Sequence, residues 1–459
     1  MRSRPSFMLF IAVTLLTLLL SACGQATPTP APTATAPAPT SVPATPTPAL
    51  DAISQLDPTG QEILFWHVFS QQSGELLQAL VEDFNSSNEW KIKVKAEFIS
   101  SNYSDLFKKM QAAIAFGEAP NIAVAYGSQA AVYDQADAVV NLAPYINSEK
   151  YGLNEDDKED IFASFMDSDR HPEVGNKLLG FPLNRGMEVM YYNADVLEEL
   201  GFAQPPQTWD EFLAVCKAAK EKKDLPCYAA RPTVSTFAGW VFSRGGEMIS
   251  RDGQRALFGS QAGLDSLTFL KTLFDNGYAY QSSGSLWDRA DFAAGKVVFT
   301  FGSSANLPFY RSAVAEGAKF NWGISYFPHS TPQIVTVIYG PSVSIFKAKK
   351  PEQQLASWLF VRWLVEREQT AKWASASGFF PVRKSAAEDP ELKAYMEKNP
   401  EFKKAFDWVQ YGKAEPQTVG WNAVHAIIQD MMAAVINGTD PKAALDKAAA
   451  DANTALNTP

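Results

Sequence analysis

Four histidines stand in the chain, His67, His171, His329 and His425, and none has the spacing that paired-histidine chemistry needs. Two imidazoles hold zinc from one helical face when they lie four residues apart with a glutamate beside the first, and no such HExxH run occurs. No Gly-x-Ser-x-Gly turn presents a nucleophile. The stretch AAGKVV at 293–298 lacks both the earlier glycine and the following serine or threonine of a phosphate-binding loop. NEDDKED at 154–160 has calcium-ligand residue types without the alternation or central glycine of an EF-hand, so it reads as a solvated acidic face. No metal or cofactor is expected, and no catalytic set. The rival class is a surface glycosidase or lyase, which would need two carboxylates facing each other across a cleft; Glu188, Glu247 and Asp288 are the candidates.

Cys216 and Cys227 do not have the C-x-x-C spacing of thiol exchange or zinc binding. Cys216 falls late in the amphipathic stretch Trp209 to Lys222, and Cys227 begins the next apolar segment. A disulfide between them would staple a helix end to the following strand and contribute about 3 kcal/mol; two free buried thiols are the alternative.

The elements that must position any site follow from composition and period. A chain of 459 residues, 46% hydrophobic and 20% charged, can bury a large core, and its length suits two globular lobes. A net charge of -10 gives nucleic acid and anionic membrane surfaces no attractive field, so nucleic acid is not expected as a partner. Eleven tryptophans make a stacking surface worth seeking. ILFWHVF is a short apolar strand, and ELLQALVEDF sets Leu76, Leu77, Leu80, Val81 and Phe84 on one helical face. KIKVKAEFI alternates as a half-buried strand, YSDLFKKMQAAIAFG is a helix closed by Gly117, and PNIAVAYG is a strand. This alternation predicts a parallel sheet with right-handed crossovers. Ligands bind such sheets beyond the carboxyl ends of the strands, where Trp66, His67, Tyr126 and Gly127 fall. Further on, KLLGFPLNRGMEVMYYN reads as strand, proline break, strand. Trp209–Lys222 and Leu264–Phe274 read as helices, VIYGPSVSIF as one strand, and EQQLASWLFVRWLVEREQTAKWA as one long buried helix.

At the N-terminus, Arg2 and Arg4 precede an apolar run of 14 residues, Phe7 to Leu20, too short to stay in a bilayer as a spanning helix. Leu20-Ser21-Ala22-Cys23 resembles the bacterial lipoprotein signal, which implies removal of residues 1–22 and a lipid on Cys23. From Thr27 to Ala49 every residue is Pro, Thr, Ala, Ser or Val, with eight prolines in 23 residues, so this is an extended tether reaching about 70 Å at about 3.1 Å per residue.

The succession WH at 66–67, APNIAVAYG, LLGFPLNRGMEVMYYN, PQTWDEFLAVCKAAK, FAAGKVVFTFGSSANLPFY, YGPSVSIFK and ASGFFPVRKSA resembles the family 1 extracellular solute-binding proteins. These are the maltose-, oligosaccharide- and glycerol-3-phosphate-binding receptors of ATP-driven importers. The resemblance spans roughly Gln61 to Leu456. It implies an α/β, two-lobed periplasmic-binding-protein-like fold with three hinge crossings and the ligand in the interlobe cleft. The crossings are expected near Pro182–Glu188, Tyr326–His329 and Gly378–Lys384, each a proline amid Gly, Asn or aromatic neighbours. Lobe 1 is then 59–183 plus 329–379 and lobe 2 is 184–328 plus 380–459, after a linker at 23–58. The implied body is a monomer that meets ABC importer permease subunits, lipid-anchored on the outer face of the cytoplasmic membrane.

Within the family the chain is similar to the glycerol-3-phosphate branch, where Tyr103, Ser303, Ser304 and Gly340 match ligand-contacting positions. Other matched positions depart: a glutamate stands here as Gly127, a serine as Arg185, a tyrosine as Phe379, and the arginine that grips phosphate as His425. A neutral imidazole has no permanently charged bidentate fork, which weakens a phosphorylated ligand, although Arg185 is placed to compensate. What remains reads as a sugar site, because carbohydrates need flat aromatic platforms and a few polar groups. Trp66, Tyr126, Trp240, Trp287, Tyr339, Phe379 and Trp421 are the platforms, and Asn184, Arg185, Arg231, Asp288, Asn422 and His425 the polar rim. The expected function is capture of a sugar or oligosaccharide by lobe closure for delivery to the permease; glycerol-3-phosphate or a glycerophosphodiester is the alternative.

Overall fold

The computed structural model describes residues 52–283, 287–347 and 350–458. The signal run, Cys23 and the Pro/Thr-rich stretch lie outside the described residues, as does the side chain of Trp287. The first strands are β1 (Glu62–His67), β2 (Lys93–Phe98), β3 (Ile122–Ala125), the short pair β4 (Arg170–His171) and β5 (Lys177–Leu178), and β6 (Phe181–Pro182). There follow β7 (Gly186–Asn193), β8 (Tyr228–Ala230), β9 (Ala279–Gln281), β10 (Phe299–Ser303), β11 (Trp322–Ser325), β12 (Thr336–Tyr339), β13 (Ser342–Ile345) and β14 (Gly412–Ala414).

These strands make two large sheets. One runs β2-β1-β3-β13-β6, with β1 parallel to β2 and β3, and β13 antiparallel to β3 and β6. The other runs β14-β12-β7-β10-β8-β9, with β11 also paired to β7. Helices pack around each sheet, giving two α/β lobes; one buried apolar cluster surrounds the smaller sheet and continues onto β7, β11 and β12, and a second fills the rest of the larger sheet's lobe. Helix Gln71–Ser87 buries Leu77, Leu80, Val81 and Phe84 against the first sheet, as the period predicts. Helix Tyr103–Phe116 starts at Asn102, whose side chain accepts the Ser104 N–H, and stops at Gly117 with φ 70°, a value glycine takes without strain. Helix Trp209–Lys223 opens on a capping box between Thr208 and Glu211. Cys216, at the middle of this helix and not at its end, is bonded to Cys227 just before β8, with Cα atoms 4.8 Å apart, and both are buried. Among the described residues no helix is long and apolar enough to cross a membrane.

Two elements differ from the sequence expectation. VIYGPSVSIF is two strands in different sheets, because Gly340 and Pro341 interrupt it: β12 pairs with β7 and β14, whereas β13 pairs with β3 and β6. Gly340 is obligatory here, since a Cβ would lie 2.9 Å from the Asn184 carbonyl oxygen. The long helix is two, Pro351–Leu364 and Arg367–Ser377. Neither Gly nor Pro breaks it; Glu366 is extended, and the Val365 carbonyl accepts Arg383 Nε at 2.7 Å, so a tertiary bond ends the helix.

The chain passes between the sheets at Leu183–Arg185 and again at Gly340–Pro341. The second passage was expected near Tyr326–His329, but that loop stays on the larger sheet's lobe. Phe327 stacks on Phe301, and the His329 and Ser330 amides bond to the carbonyls of Gln207 and Ser243. The third passage is drawn out: Phe380, Val382, Leu392 and Phe402 remain in the first apolar cluster, and the chain enters the larger sheet only at β14.

All three passages meet at Arg185. Its backbone exchanges hydrogen bonds with Phe380, and its guanidinium is 1% exposed. Nη2 donates to Asp169 Oδ2 at 2.7 Å and Ser342 Oγ at 2.9 Å, and Nη1 donates to the Pro341 carbonyl at 2.9 Å. Deleting one member of a buried pair strands the other, which typically costs 3–5 kcal/mol. Asp169→Ala should therefore lower unfolding free energy by about 3–5 kcal/mol in a denaturant titration, and a loss under 1 kcal/mol would show that Arg185 does not need this partner.

Candidate functional site

A cavity of 710 Å³ lies between the lobes. Tyr103, Ser104, Tyr126, Ser128 and Gln129 line it from the smaller sheet's lobe; Glu188, Arg231, Asp288, Ser303, Tyr339 and Glu415 are among the residues lining it from the other. The first wall is built from two helix starts. Tyr126 ends β3 and caps helix Gly127–Gln135, and its ring meets Tyr103 edge to face with centroids 4.9 Å apart. Gly127 is required by packing: a Cβ would fall 2.8 Å from Gln417 Cβ on the opposite lobe. Gln417 Oε1 accepts the Ser128 N–H at 3.2 Å, and the Ser128 hydroxyl donates to Asn422 Oδ1 at 3.3 Å, so the lobes touch beside the cavity.

The second wall is acidic. Glu188 projects from β7 and accepts hydroxyl bonds from Thr236 at Oε1 and Tyr339 at Oε2, both 2.8 Å. Burial, reinforced by Glu415 and Asp288, pushes its carboxyl up to about 7 against the pull of those two hydroxyls. Asp288 accepts from Thr300 at 2.6 Å and Tyr310 at 3.1 Å; burial raises it, and Arg231 opposes the rise. Glu415, 6% exposed, has Oε2 3.6 Å from His425 Nε2, while its Oε1 has no partner among the described residues. Trp421 lines the cavity although it is 1% exposed, and its Nε1–H is also unpartnered among the described residues. Burial pushes the Tyr126 hydroxyl up to about 12, so it stays a neutral donor.

Of the residues singled out from sequence, Tyr103, Tyr126, Glu188, Arg231, Asp288, Ser303, Tyr339, Trp421, Asn422 and His425 line this cavity. The others sit elsewhere for identifiable reasons. Trp66 is buried in the smaller lobe, its Nε1 donating to Glu97 at 3.1 Å and its ring covered by Lys109. His67 packs among Phe65, Phe69 and Phe98, and burial lowers its imidazole to about 4, leaving it neutral. Trp240 is wholly buried against Trp209, Phe269 and Tyr228. Asn184 and Gly340 belong to the passages between sheets. Ser304 is buried, its Oγ accepting the Met187 N–H, and Phe379 packs over Gly186. Arg185 is spent on Asp169, so it does not compensate at the cavity for the arginine replaced by His425. Glu247 lies apart from the cavity, ion-paired with Lys413. Sequence reasoning did not find Gln129, Glu415 or Gln417. The last two stand in the same EPQTVGWN segment as Trp421, and an acidic residue five before a loop glycine carries no recognisable signal.

Residues 79–404 match the family described as bacterial extracellular solute-binding protein. This chain belongs to that family. A relative, the sn-glycerol-3-phosphate-binding periplasmic protein UgpB of Yersinia pseudotuberculosis, is 25% identical over 411 residues, covering 84% of this chain and 90% of the relative. Two solved structures share the fold. The cyclic α-maltosyl-1,6-maltose binding protein of Arthrobacter globiformis gives a TM-score of 0.75 at 20% identity, covering 86% of this chain and 98% of that one. UgpB of Mycobacterium tuberculosis, solved with glycerophosphocholine, gives 0.73 at 19%, covering 87% and 98%. Members of this extracellular solute-binding family are binding proteins of importers, and the chain is not an enzyme.

In this solute-binding protein the folded state holds the Glu188 proton up to about pH 7, whereas the unfolded carboxyl releases it near 4.5. The folded state thus binds more protons between those values, and stability falls as pH rises through them, by about 3 kcal/mol in all. Glu188→Gln should remove that fall when denaturant midpoints at pH 5 and pH 8 are compared. Equal falls in parent and variant would contradict the burial argument.

Proposed function

We propose that the chain is the substrate-binding lipoprotein of an ABC importer, capturing a neutral or cationic carbohydrate in the cavity between its lobes. The observation that carries the carbohydrate reading is the lining of one cavity by aromatic side chains together with Glu415 and Trp421, whose buried Oε1 acceptor and Nε1 donor have no partner among the described residues. A hydroxyl group donates to one and accepts from the other, and a sugar's C–H faces suit Tyr103, Tyr126, Tyr339 and Trp421. Arg231, Asp288, Ser303, Asn422 and His425 make up the polar rim. The UgpB relatives are named for glycerol-3-phosphate; a phosphate here would meet Arg231 and Arg289 but also Glu188, Asp288 and Glu415, with Arg185 withdrawn into its ion pair.

Binding joins two lobes linked by chain passages that converge on Arg185, so the solute favours closure by contacting both walls at once. Removing the Cys23 thiol tests the anchor: Cys23→Ser should release the mature protein from membranes on fractionation, and continued tight association would overturn lipidation.

Calorimetry with sugars and with glycerol-3-phosphate separates the two ligand classes. A sugar should bind, and Trp421→Ala should weaken it by about 2 kcal/mol, roughly thirtyfold, with the variant still folded. Micromolar binding of glycerol-3-phosphate with silence toward sugars would overturn the carbohydrate reading.

A further inference from the structure

We propose that the sugar carries a protonated amino group that seats against Glu188 and Glu415, making the solute an amino sugar. This rests on the carbohydrate reading above.

The argument follows how each cavity carboxylate is balanced. Asp288 has Arg231 acting on it, Arg289 also lines the cavity, and Glu415 Oε2 lies 3.6 Å from the His425 ring nitrogen. The groups that act on Glu188 are Tyr339 from β12, Thr236 from helix Val234–Phe242, Glu415 beyond β14 and Asp288 from helix Trp287–Ala293; Tyr191 and Tyr228 interact with it through space. None of these six carries a positive charge. A buried carboxylate without a counter-ion either keeps a proton or takes a cation. Thr236 and Tyr339 both donate to Glu188, an arrangement that suits the anion and leaves lone pairs for a further donor.

Glu415 is the second, independent sign. Its side chain is 6% exposed, it lines the same cavity, and Oε1 has no partner among the described residues. An ammonium group has three donors, enough for Glu188 and for Glu415 Oε1, where a hydroxyl has one. The aromatic faces of Tyr339 and Trp421 favour the same charge.

The test is calorimetry on the full chain at pH 7 with matched sets: glucosamine, N-acetylglucosamine and glucose, and the galactose and mannose equivalents, as mono- and disaccharides. In the set that binds, the amino member should be at least tenfold tighter than its neutral partners. That gap should collapse in Glu188→Gln and narrow in Glu415→Gln. Neutral members binding as tightly, or a gap that survives both substitutions, would overturn the amino-sugar assignment while leaving the carbohydrate reading intact. Failure of every set to bind would remove both.

Discussion

The architecture depends on one buried cation. Arg185 sits where the chain first leaves the smaller sheet, and its bonds gather Asp169, Ser342, the Pro341 carbonyl and the Phe380 backbone around it. Arginine is suited to this because its planar fork offers five donors in fixed directions and holds its charge when buried. A lysine could reach Asp169 but could not also bind Pro341 and Ser342 in the same geometry. By fixing three chain passages to one point, the guanidinium sets how the two sheets face each other, and thereby which side chains can oppose one another across the cavity.

That commitment has a chemical consequence. With Arg185 consumed internally, the charged residues that line the cavity are Glu188, Asp288 and Glu415 with Arg231 and Arg289. Burial of Glu188, Asp288 and Glu415 strengthens their interactions with any charge brought into the cavity. Hydroxyl donors from Thr236, Tyr339, Thr300 and Tyr310 hold the carboxylates in place beforehand, so ordering them is not left to the binding step.

Local patterns in the sequence mark most elements. The apolar period of Gln71–Ser87, the Asn102 start and Gly117 stop of Tyr103–Phe116, and the proline break ahead of β7 are short-range features with short-range causes. Failures occur where a distant residue decides. Gly340 and Pro341 look like punctuation within a strand until β12 and β13 are seen to pair in different sheets, and Arg383 ends a helix whose own residues favour continuing. The site divides in the same way. Tyr103 and Tyr126 reach the cavity because they sit at a helix start and a strand end, whereas nothing in the sequence distinguishes Trp240, packed among aromatics in the core, from Trp421, which is as buried yet lines the cavity. Arg185 was legible as a charged residue near a crossing; its partner Asp169 was not, because the pairing spans separate elements.

The central claim, that the solute sits between the lobes and touches both, is tested most directly by a crystal structure of the chain with its tightest-binding sugar. The account predicts ligand density in the 710 Å³ cavity, in contact with Tyr126 on one wall and with Trp421 and Glu415 on the other. Density confined to one lobe, or lodged in the outer groove beside Glu247 and Lys413, would contradict it.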